Sequence, residues 1–215
     1  MTLFIPGPAG RIEALAWPAQ DEAGAAVAPR AAAFVCHPHP LFGGTLHNNV
    51  VFRIARGLQR AGAAVVRFNF RGVEQSEGVH DGAGGEEEDA RAVLEWLSER
   101  HPRLPLWAAG FSFGARTVAA LAVREPRIAR LVCVALPCKV FDCSALRSLR
   151  QPALCLMAGR DQYGNLSDLR ERLPDLPAAV ELDEIPGEDH FFRGATRELE
   201  LRVRAWARRQ LEDAA

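Results

Sequence analysis

The sequence predicts an α/β protein built on one mostly parallel sheet, and two observations carry this prediction. From residue 31 onward, short and nearly continuous apolar runs alternate with longer amphipathic segments. Strands that are apolar on both faces are typical of parallel sheets covered by helices on either side. The chain has 215 residues, about the length of one domain, so we expect a single α/β domain over residues 1–215.

Eight segments are predicted as strands. The first two, Leu3–Pro6 and Arg11–Trp17, flank a Gly-Pro-Ala-Gly turn, which indicates an antiparallel hairpin. The stretch from Pro18 to Arg30 is rich in Ala, Gly and Pro and is predicted as a loop. The other six strands follow in this order: Ala31–Cys36, Ala64–Phe70, Leu106–Gly110, Ala129–Leu136, Ala153–Ala158 and Val180–Ile185.

Five amphipathic segments between or after these strands are predicted as helices that cover both faces of the sheet: Asn49–Arg60, Glu87–Arg100, Phe113–Arg124, Leu166–Leu173 and Arg197–Leu211. In the second helix, Val93, Trp96 and Leu97 recur at the spacing that places an apolar stripe against a sheet. Ligands of such folds bind at the carboxyl ends of the strands. The functional residues are therefore expected in the loops that follow the strands.

The charge balance argues against several classes of function. Lys and Arg total 26 and Asp and Glu total 27, so the net charge of −1 disfavours a nucleic-acid binder or a polybasic membrane anchor. We expect neither a membrane span nor a signal peptide, since no run of about 20 mostly apolar residues is present. Three cysteines, Cys36, Cys133 and Cys155, lie in apolar strands, which indicates buried, reduced thiols in a cytoplasmic protein.

The end of the fifth predicted strand carries a specific motif. The run Gly110-Phe111-Ser112-Phe113-Gly114 follows an apolar strand and precedes a helix, the context that a GxSxG nucleophile elbow requires. Glycine is expected at both ends because a β-carbon there would crowd the tight turn or the helix packing. Ser112 is therefore the candidate nucleophile, and the alternative is a serine in an ordinary structural turn.

A serine nucleophile needs a histidine base and an orienting acid, which follow it along the chain in the order Asp and then His in this architecture. Asp161 lies just past the seventh predicted strand, and His190 lies in the equivalent place after the eighth. Glu188 and Asp189 compete for the role of the acid. Because both adjoin His190 in sequence, a productive hydrogen bond to its ring is awkward for them, and Asp161 is preferred.

Backbone donors for an oxyanion are expected from the loop after the third strand, which reads His37-Pro38-His39-Pro40-Leu41-Phe42-Gly43-Gly44. Proline has no N–H, so the donors near the strand end are those of His39, which is preferred, and Leu41. The second donor is the N–H of Phe113, directly after the nucleophile and at a helix N-terminus. A metal site at the His-x-His spacing is disfavoured because apolar residues follow in place of further ligands, so no metal is expected.

Together these motifs resemble the α/β-hydrolase superfamily over essentially the whole chain. The resemblance is greatest to small lidless bacterial serine hydrolases, which carry HPHPxxGG before an Asn-containing helix start, FNFRG, GFSFGA and a late HFF. The matching segments are His37–Gly44 with Asn48-Asn49, Phe68–Gly72, Gly110–Ala115 and His190–Phe192.

Three positions depart from patterns that are common in the superfamily. Asn69 and Glu74 replace the Asp and the second Gly of a D-x-R-G-x-G-x-S segment, and Ala158 replaces the first glycine of the acid loop. None of these changes affects a candidate catalytic residue. They are expected to reshape the walls of the pocket.

The resemblance implies a serine hydrolase with Ser112, Asp161 and His190 as its triad, an oxyanion hole at His39 and Phe113, and no cofactor. Members are mostly esterase-like, so we expect a carboxylesterase whose partner is a small acyl ester with a short chain. A thioesterase or a peptidase would use the same machinery. A non-catalytic ligand-binding protein is the alternative from another class, and the oligomeric state is left open.

No cap domain is expected over the site. In this fold a lid usually follows the sixth strand, and here only Pro137 to Pro152 separates that strand from the next, too short a stretch for several helices. An open pocket is therefore predicted, with walls from apolar residues near the motifs: Leu41, Phe42, Phe111, Tyr163 and Phe191. Each of these five is equally compatible with ordinary core packing.

Overall fold

The structure is a computed structural model that describes residues 2–82 and 84–213. Its strands are β1 (Thr2–Gly7), β2 (Gly10–Trp17), β3 (Ala31–Cys36), β4 (Ala63–Phe68), β5 (Leu106–Phe111), β6 (Ile128–Val134), β7 (Ala153–Ala158) and β8 (Val180–Ile185). Its α-helices are α1 (Asn49–Arg60), α2 (Gly85–Arg100), α3 (Phe113–Arg124), α4 (Leu166–Arg172) and α5 (Thr196–Glu212). The predicted α/β class with eight strands is confirmed.

All eight strands form one sheet in the order β1-β2-β4-β3-β5-β6-β7-β8. The hairpin of β1 and β2 is antiparallel and β2 runs antiparallel to β4, whereas every pair from β4 to β8 is parallel. After β3 the chain crosses to β4 on one side, and after β5 it crosses to β6 on the other. The crevice beyond the carboxyl ends of β3 and β5 is therefore a topological switch point, where α/β folds place their ligands.

The central strands β3, β4, β5 and β7 are buried on both faces, as their apolar sequences predict. In β3 the side chains alternate between two cores: Ala31, Ala33 and Val35 pack with α1 and α5, and the intervening residues pack with α2 and α3. No exposed face remains on these strands, since all six residues of β3 are buried. This two-sided packing holds the strand ends, and the loops that follow them, in fixed positions.

Two strands end earlier than the sequence predicts. The strand β4 stops at Phe68 rather than Phe70, because the N–H of Phe70 turns away from the ladder and donates to the His37 ring. The strand β6 stops at Val134, since Ala135 adopts a φ of 48°, which a regular strand does not allow. Both changes occur at the carboxyl edge of the sheet, where the chain leaves the ladder to build loops.

The buried ring of His37 fastens the end of β3 to the end of β4. Its Nδ1 lies 2.6 Å from the carbonyl oxygen of Pro38, and its Nε2 accepts the N–H of Phe70 at 3.0 Å. This pattern requires a neutral ring with the proton on Nδ1. Burial lowers the pKa of His37 from 6.5 to about 4, which keeps the ring neutral. Both nitrogens are engaged, so neither is free to bind a metal.

A neutral, buried His37 predicts a stability that falls in acid. Between pH 6.5 and about 4 the unfolded chain binds a proton at this ring that the folded protein does not bind, so the free energy of unfolding rises with pH over that range. The substitution His37→Asn keeps a donor near the Pro38 carbonyl and removes the titrating group. We expect the free energy of unfolding in urea to fall between about pH 7.5 and about pH 4.5. This fall should be smaller by roughly 2–3 kcal/mol in the variant than in the wild type.

The matched control is the same substitution at His47, whose side chain is 60% exposed. His47→Asn should leave the acid-induced loss close to the wild-type value. An equal loss in the wild type and in His37→Asn would contradict the assignment of a neutral buried ring.

Candidate active site

A strained turn between β5 and α3 presents Ser112. This residue has a φ of 55° and a ψ of −117°, a conformation that residues with a β-carbon rarely adopt and that costs about 1–3 kcal/mol. A β-carbon on Gly110 would collide with the carbonyl of Gly114, and one on Gly114 would collide with the carbonyl of Cys36. Glycine is thus needed at both ends of the motif because strand, helix and the end of β3 approach closely here.

The ring of His190 lies between Ser112 and Asp161. Its Nε2 is 2.9 Å from the Ser112 Oγ, and its Nδ1 is 2.6 Å from an Asp161 carboxylate oxygen. The side chains of His190 and Asp161 are 4% and 0% exposed. The other Asp161 oxygen accepts the N–H of Tyr163 at 2.8 Å, which fixes the carboxylate. This arrangement can take a proton from the serine hydroxyl and stabilise the imidazolium that forms.

The two carboxylates next to His190 in sequence point elsewhere. Asp189 accepts the N–H of Phe191 at 2.9 Å, and its side chain is 43% exposed. Glu188 accepts a backbone N–H six residues further on. Among the carboxylates in residues 2–82 and 84–213, only Asp161 is hydrogen-bonded to the His190 ring. The structure therefore brings Asp161, and neither Glu188 nor Asp189, to the His190 ring.

The loop after β3 leaves one of its two candidate donors free. The N–H of Leu41 donates to the Nδ1 of His39 at 3.2 Å, whereas the N–H groups of His39 and Phe113 have no acceptor within the described parts of the chain. Burial lowers the pKa of His39, and the adjacent His80 lowers it further although Glu86 opposes them. A neutral ring is what the bond from Leu41 requires, because a protonated Nδ1 could not accept it.

A cavity of about 330 Å³ lies over Ser112. Loops that follow five strands, β3, β5, β6, β7 and β8, form its walls. Most of the large side chains in these walls are rings: His39, Phe42, Phe113, Phe141, Tyr163, His190 and Phe191. Phe42 is 86% exposed, so the cavity is open to solvent on this side. Between β6 and β7 the chain forms only a short 3₁₀ turn, Ser144–Ser148, and no cap.

The walls differ in part from the sequence prediction. Phe42, Tyr163 and Phe191 line the cavity, but two predicted wall residues do not. Leu41 is 70% exposed to solvent outside it, and Phe111 is fully buried beneath His190, with ring centroids 5.1 Å apart. As the last residue of β5, Phe111 points into the core formed with α1 and α5 rather than into the crevice.

Sequence reasoning missed several residues that line the cavity, among them Val140 and Phe141. Both lie in the stretch between β6 and β7, which is too short for a cap and for which the sequence predicts no part in the pocket. A usable signal was present: an apolar pair a few residues past a strand end lies at the same edge of a parallel sheet as the serine. The sequence gives no signal for His80, whose ring centroid lies 5.0 Å from that of His39 and whose Nδ1 lies 2.6 Å from a Glu86 carboxylate oxygen.

The described residues contain free cysteines but no metal-binding cluster and no helix that could cross a membrane. All five cysteines are free and buried, which confirms the prediction of burial for Cys36, Cys133 and Cys155. In residues 2–82 and 84–213, no group of three or more His, Cys, Asp or Glu side chains is placed to hold a metal ion. No helix of the same residues has the length and apolar character needed to cross a membrane.

Comparison with known proteins places the chain among relatives of this architecture. An uncharacterised protein of Rickettsia prowazekii is 34% identical over 206 residues, covering 91% of this chain and 84% of that protein. An α/β serine hydrolase homologue from Coxiella burnetii is 33% identical with a TM-score of 0.87, over 95% of this chain and 96% of that one. An α/β serine hydrolase without a lid from Xanthomonas campestris is 32% identical with a TM-score of 0.88, and the match covers 98% of this chain and 94% of that one.

The sequence also matches the family model described as the α/β hydrolase fold, over residues 39–153. That match covers more than half of the chain and includes the loop after β3, the Ser112 turn and the strands between them. The fold, the lidless relatives and the family match agree, and the chain belongs to the α/β-hydrolase family.

Proposed function

We propose that this protein is a serine carboxylesterase that cleaves small acyl esters through an acyl-enzyme on Ser112. The observation that carries the proposal is the chain of hydrogen bonds from Ser112 through His190 to the buried Asp161. The Ser112 Oγ attacks the ester carbonyl while the Nε2 of His190 takes its proton. The same nitrogen then donates that proton to the leaving alcohol. A water molecule, activated by His190 in turn, hydrolyses the acyl-enzyme and regenerates the serine.

The backbone N–H groups of His39 and Phe113 are the donors to the tetrahedral oxyanion in this proposal. Each such donor typically contributes about 2.7–4 kcal/mol of transition-state stabilisation. His37 helps to orient the His39 donor. Its ring binds the carbonyl of Pro38, which belongs to the same peptide unit as the His39 N–H. In a trans peptide these two groups point in opposite directions, so fixing the carbonyl also directs the N–H.

The nucleophile is tested by Ser112→Ala. Removing the Oγ should lower hydrolysis of p-nitrophenyl acetate to the background rate, a loss of about a million-fold in kcat for an enzyme of this type. A fluorophosphonate probe should label the wild type and not the variant. Circular dichroism checks that the fold is retained, and the exposed Ser148, changed to Ala, is the matched control. Most of the activity remaining in Ser112→Ala would contradict the proposal.

The orienting acid is tested by comparing Asp161→Asn with Asp189→Asn. An amide at position 161 favours the wrong His190 tautomer, so kcat should fall by about 10⁴-fold, as in other triads. The same change at Asp189 should leave kcat near that of the wild type, because this carboxylate contacts a backbone N–H and not the ring. Steady-state kinetics on one ester decides between them. A larger loss in Asp189→Asn would show that the acid is misassigned.

The open cavity predicts a preference for short acyl chains. Each CH₂ that is buried adds about 0.8 kcal/mol of binding, but only where a wall covers it. A cavity of about 330 Å³ without a cap offers such walls for few carbons. We expect kcat/KM to be highest for p-nitrophenyl esters of roughly two to six carbons, to fall steeply beyond them, and to show no jump above the critical micelle concentration. A maximum at about twelve carbons or longer would contradict this.

A further inference from the structure

Two groups of aromatic rings face the cavity from the two sides of Ser112. The oxyanion-side rings are centred on His39, whose ring centroid lies 4.8 Å from Phe42, 4.9 Å from Phe113 and 6.3 Å from Phe141. The histidine-side rings are Tyr163 and Phe191, whose centroids lie 4.7 Å and 5.3 Å from that of His190. Ser112 follows β5, and in the sheet the loop with His39 follows β3 on one side of it, whereas the loops with Tyr163 and Phe191 follow β7 and β8 on the other side.

The composition of these walls differs sharply from that of the chain. Phe, Trp and Tyr make up 7% of the sequence, yet they are five of the thirteen residues that line the cavity. The single tyrosine of the chain, Tyr163, is one of them. Among the described lining residues Val140 is the one branched aliphatic side chain, and no Leu, Ile or Met occurs, although Leu is abundant elsewhere in the core. A pocket for alkyl chains needs no such replacement of aliphatic residues by rings.

Several of these rings are exposed, which is costly without a ligand. Phe42 is 86% exposed, Phe191 41% and Tyr163 40%, at three different strand ends around one opening. Exposed apolar groups that cluster at a cavity mark a binding surface more often than chance. Aromatic rings bind other rings through edge-to-face and offset contacts, which strengthen binding by about 2- to 10-fold beyond the burial of apolar area.

We propose that the ester cleaved at this site carries a planar aromatic ring, which binds between the oxyanion-side and histidine-side rings. The inference rests on the proposed esterase function and adds the substrate class to it. The ring belongs to the alcohol half or to the acyl half of the ester, and the two halves share the same recognition chemistry. Esters that carry the ring in only one half separate the two cases.

Two pairs of esters test the proposal, each with matched size and reactivity. Benzyl acetate and cyclohexylmethyl acetate place a ring in the alcohol half, and methyl phenylacetate and methyl cyclohexylacetate place it in the acyl half. A CH₂ separates every ring from the ester, so intrinsic reactivity is similar within a pair. Cyclohexyl is the more hydrophobic ring, so a merely apolar pocket favours it. We expect kcat/KM to favour the aromatic member by about tenfold in at least one pair, mostly through KM.

Substitutions in the walls show whether the rings cause this preference. Phe141→Leu and, independently, the exposed Phe191→Leu keep an apolar side chain and remove a ring, and each should lower the aromatic preference several-fold. Activity on the cyclohexyl esters should change less. The control is Phe4→Leu on β1, a 42% exposed ring outside the cavity, which should leave the preference unchanged.

Equal rates or a preference for the cyclohexyl member in both pairs would overturn the proposal, as would an aromatic preference that both wall variants retain. Failure of the esterase function is a separate result, seen as no turnover of any ester and no labelling of Ser112. In that case, titration calorimetry of the unreacted protein with benzyl acetate and with cyclohexylmethyl acetate decides the ring preference alone. Tighter binding of benzyl acetate would support the aromatic site, and equal or weaker binding would overturn it.

Discussion

The backbone of Ser112 is strained, and most of the surrounding structure serves to hold it in that conformation. Its N–H is bonded to the carbonyl of Val134 on the neighbouring strand, so the turn is tied to the sheet on the side of β6. On the other side, Gly114 packs against the end of β3 with no room for a β-carbon. A strain of about 1–3 kcal/mol persists only where the surroundings over-determine the geometry. Here the central strands of the sheet, which are buried on both faces, provide that constraint.

The same constraint explains how residues far apart in the sequence meet at one serine. Six neighbouring strands of the sheet, β4, β3, β5, β6, β7 and β8, are parallel, so their carboxyl ends lie at one edge. Loops that follow several of them each contribute one part of the site. Asp161 and His190 follow β7 and β8, and the loop with His39 follows β3. Burial then sets the chemistry of the histidines: the pKa of His37 and of His39 is lowered, so their rings accept backbone N–H groups in the neutral form.

The fold could be predicted from the sequence, and so could the meeting of Ser112, Asp161 and His190, because the signals for both are local. A GxSxG turn, an aspartate and a histidine each stand directly after an apolar strand, and parallel topology brings strand ends together. The prediction of the pocket walls was wrong where the outcome depends on the direction in which a side chain points. Phe111 and Phe113 flank Ser112 symmetrically in sequence, yet the first points into the core below and the second lines the cavity. Nothing in the spacing of residues shows which side of the turn faces the crevice.

A lid normally does two things for an esterase: it covers an apolar substrate and it excludes water around the reacting bond. Between β6 and β7 the insertion is absent and the short loops provide only walls, so in the proposed esterase the second task would fall on the rings at the opening. A flat ring held between Phe141 and the pair Tyr163 and Phe191 would itself cover the cavity that these side chains leave open. In such a site the substrate completes the enclosure. In the proposed mechanism, a substrate that cannot complete it would leave Ser112 in contact with water, which would weaken the hydrogen bonds to the oxyanion. Selectivity and rate then depend on the same contacts.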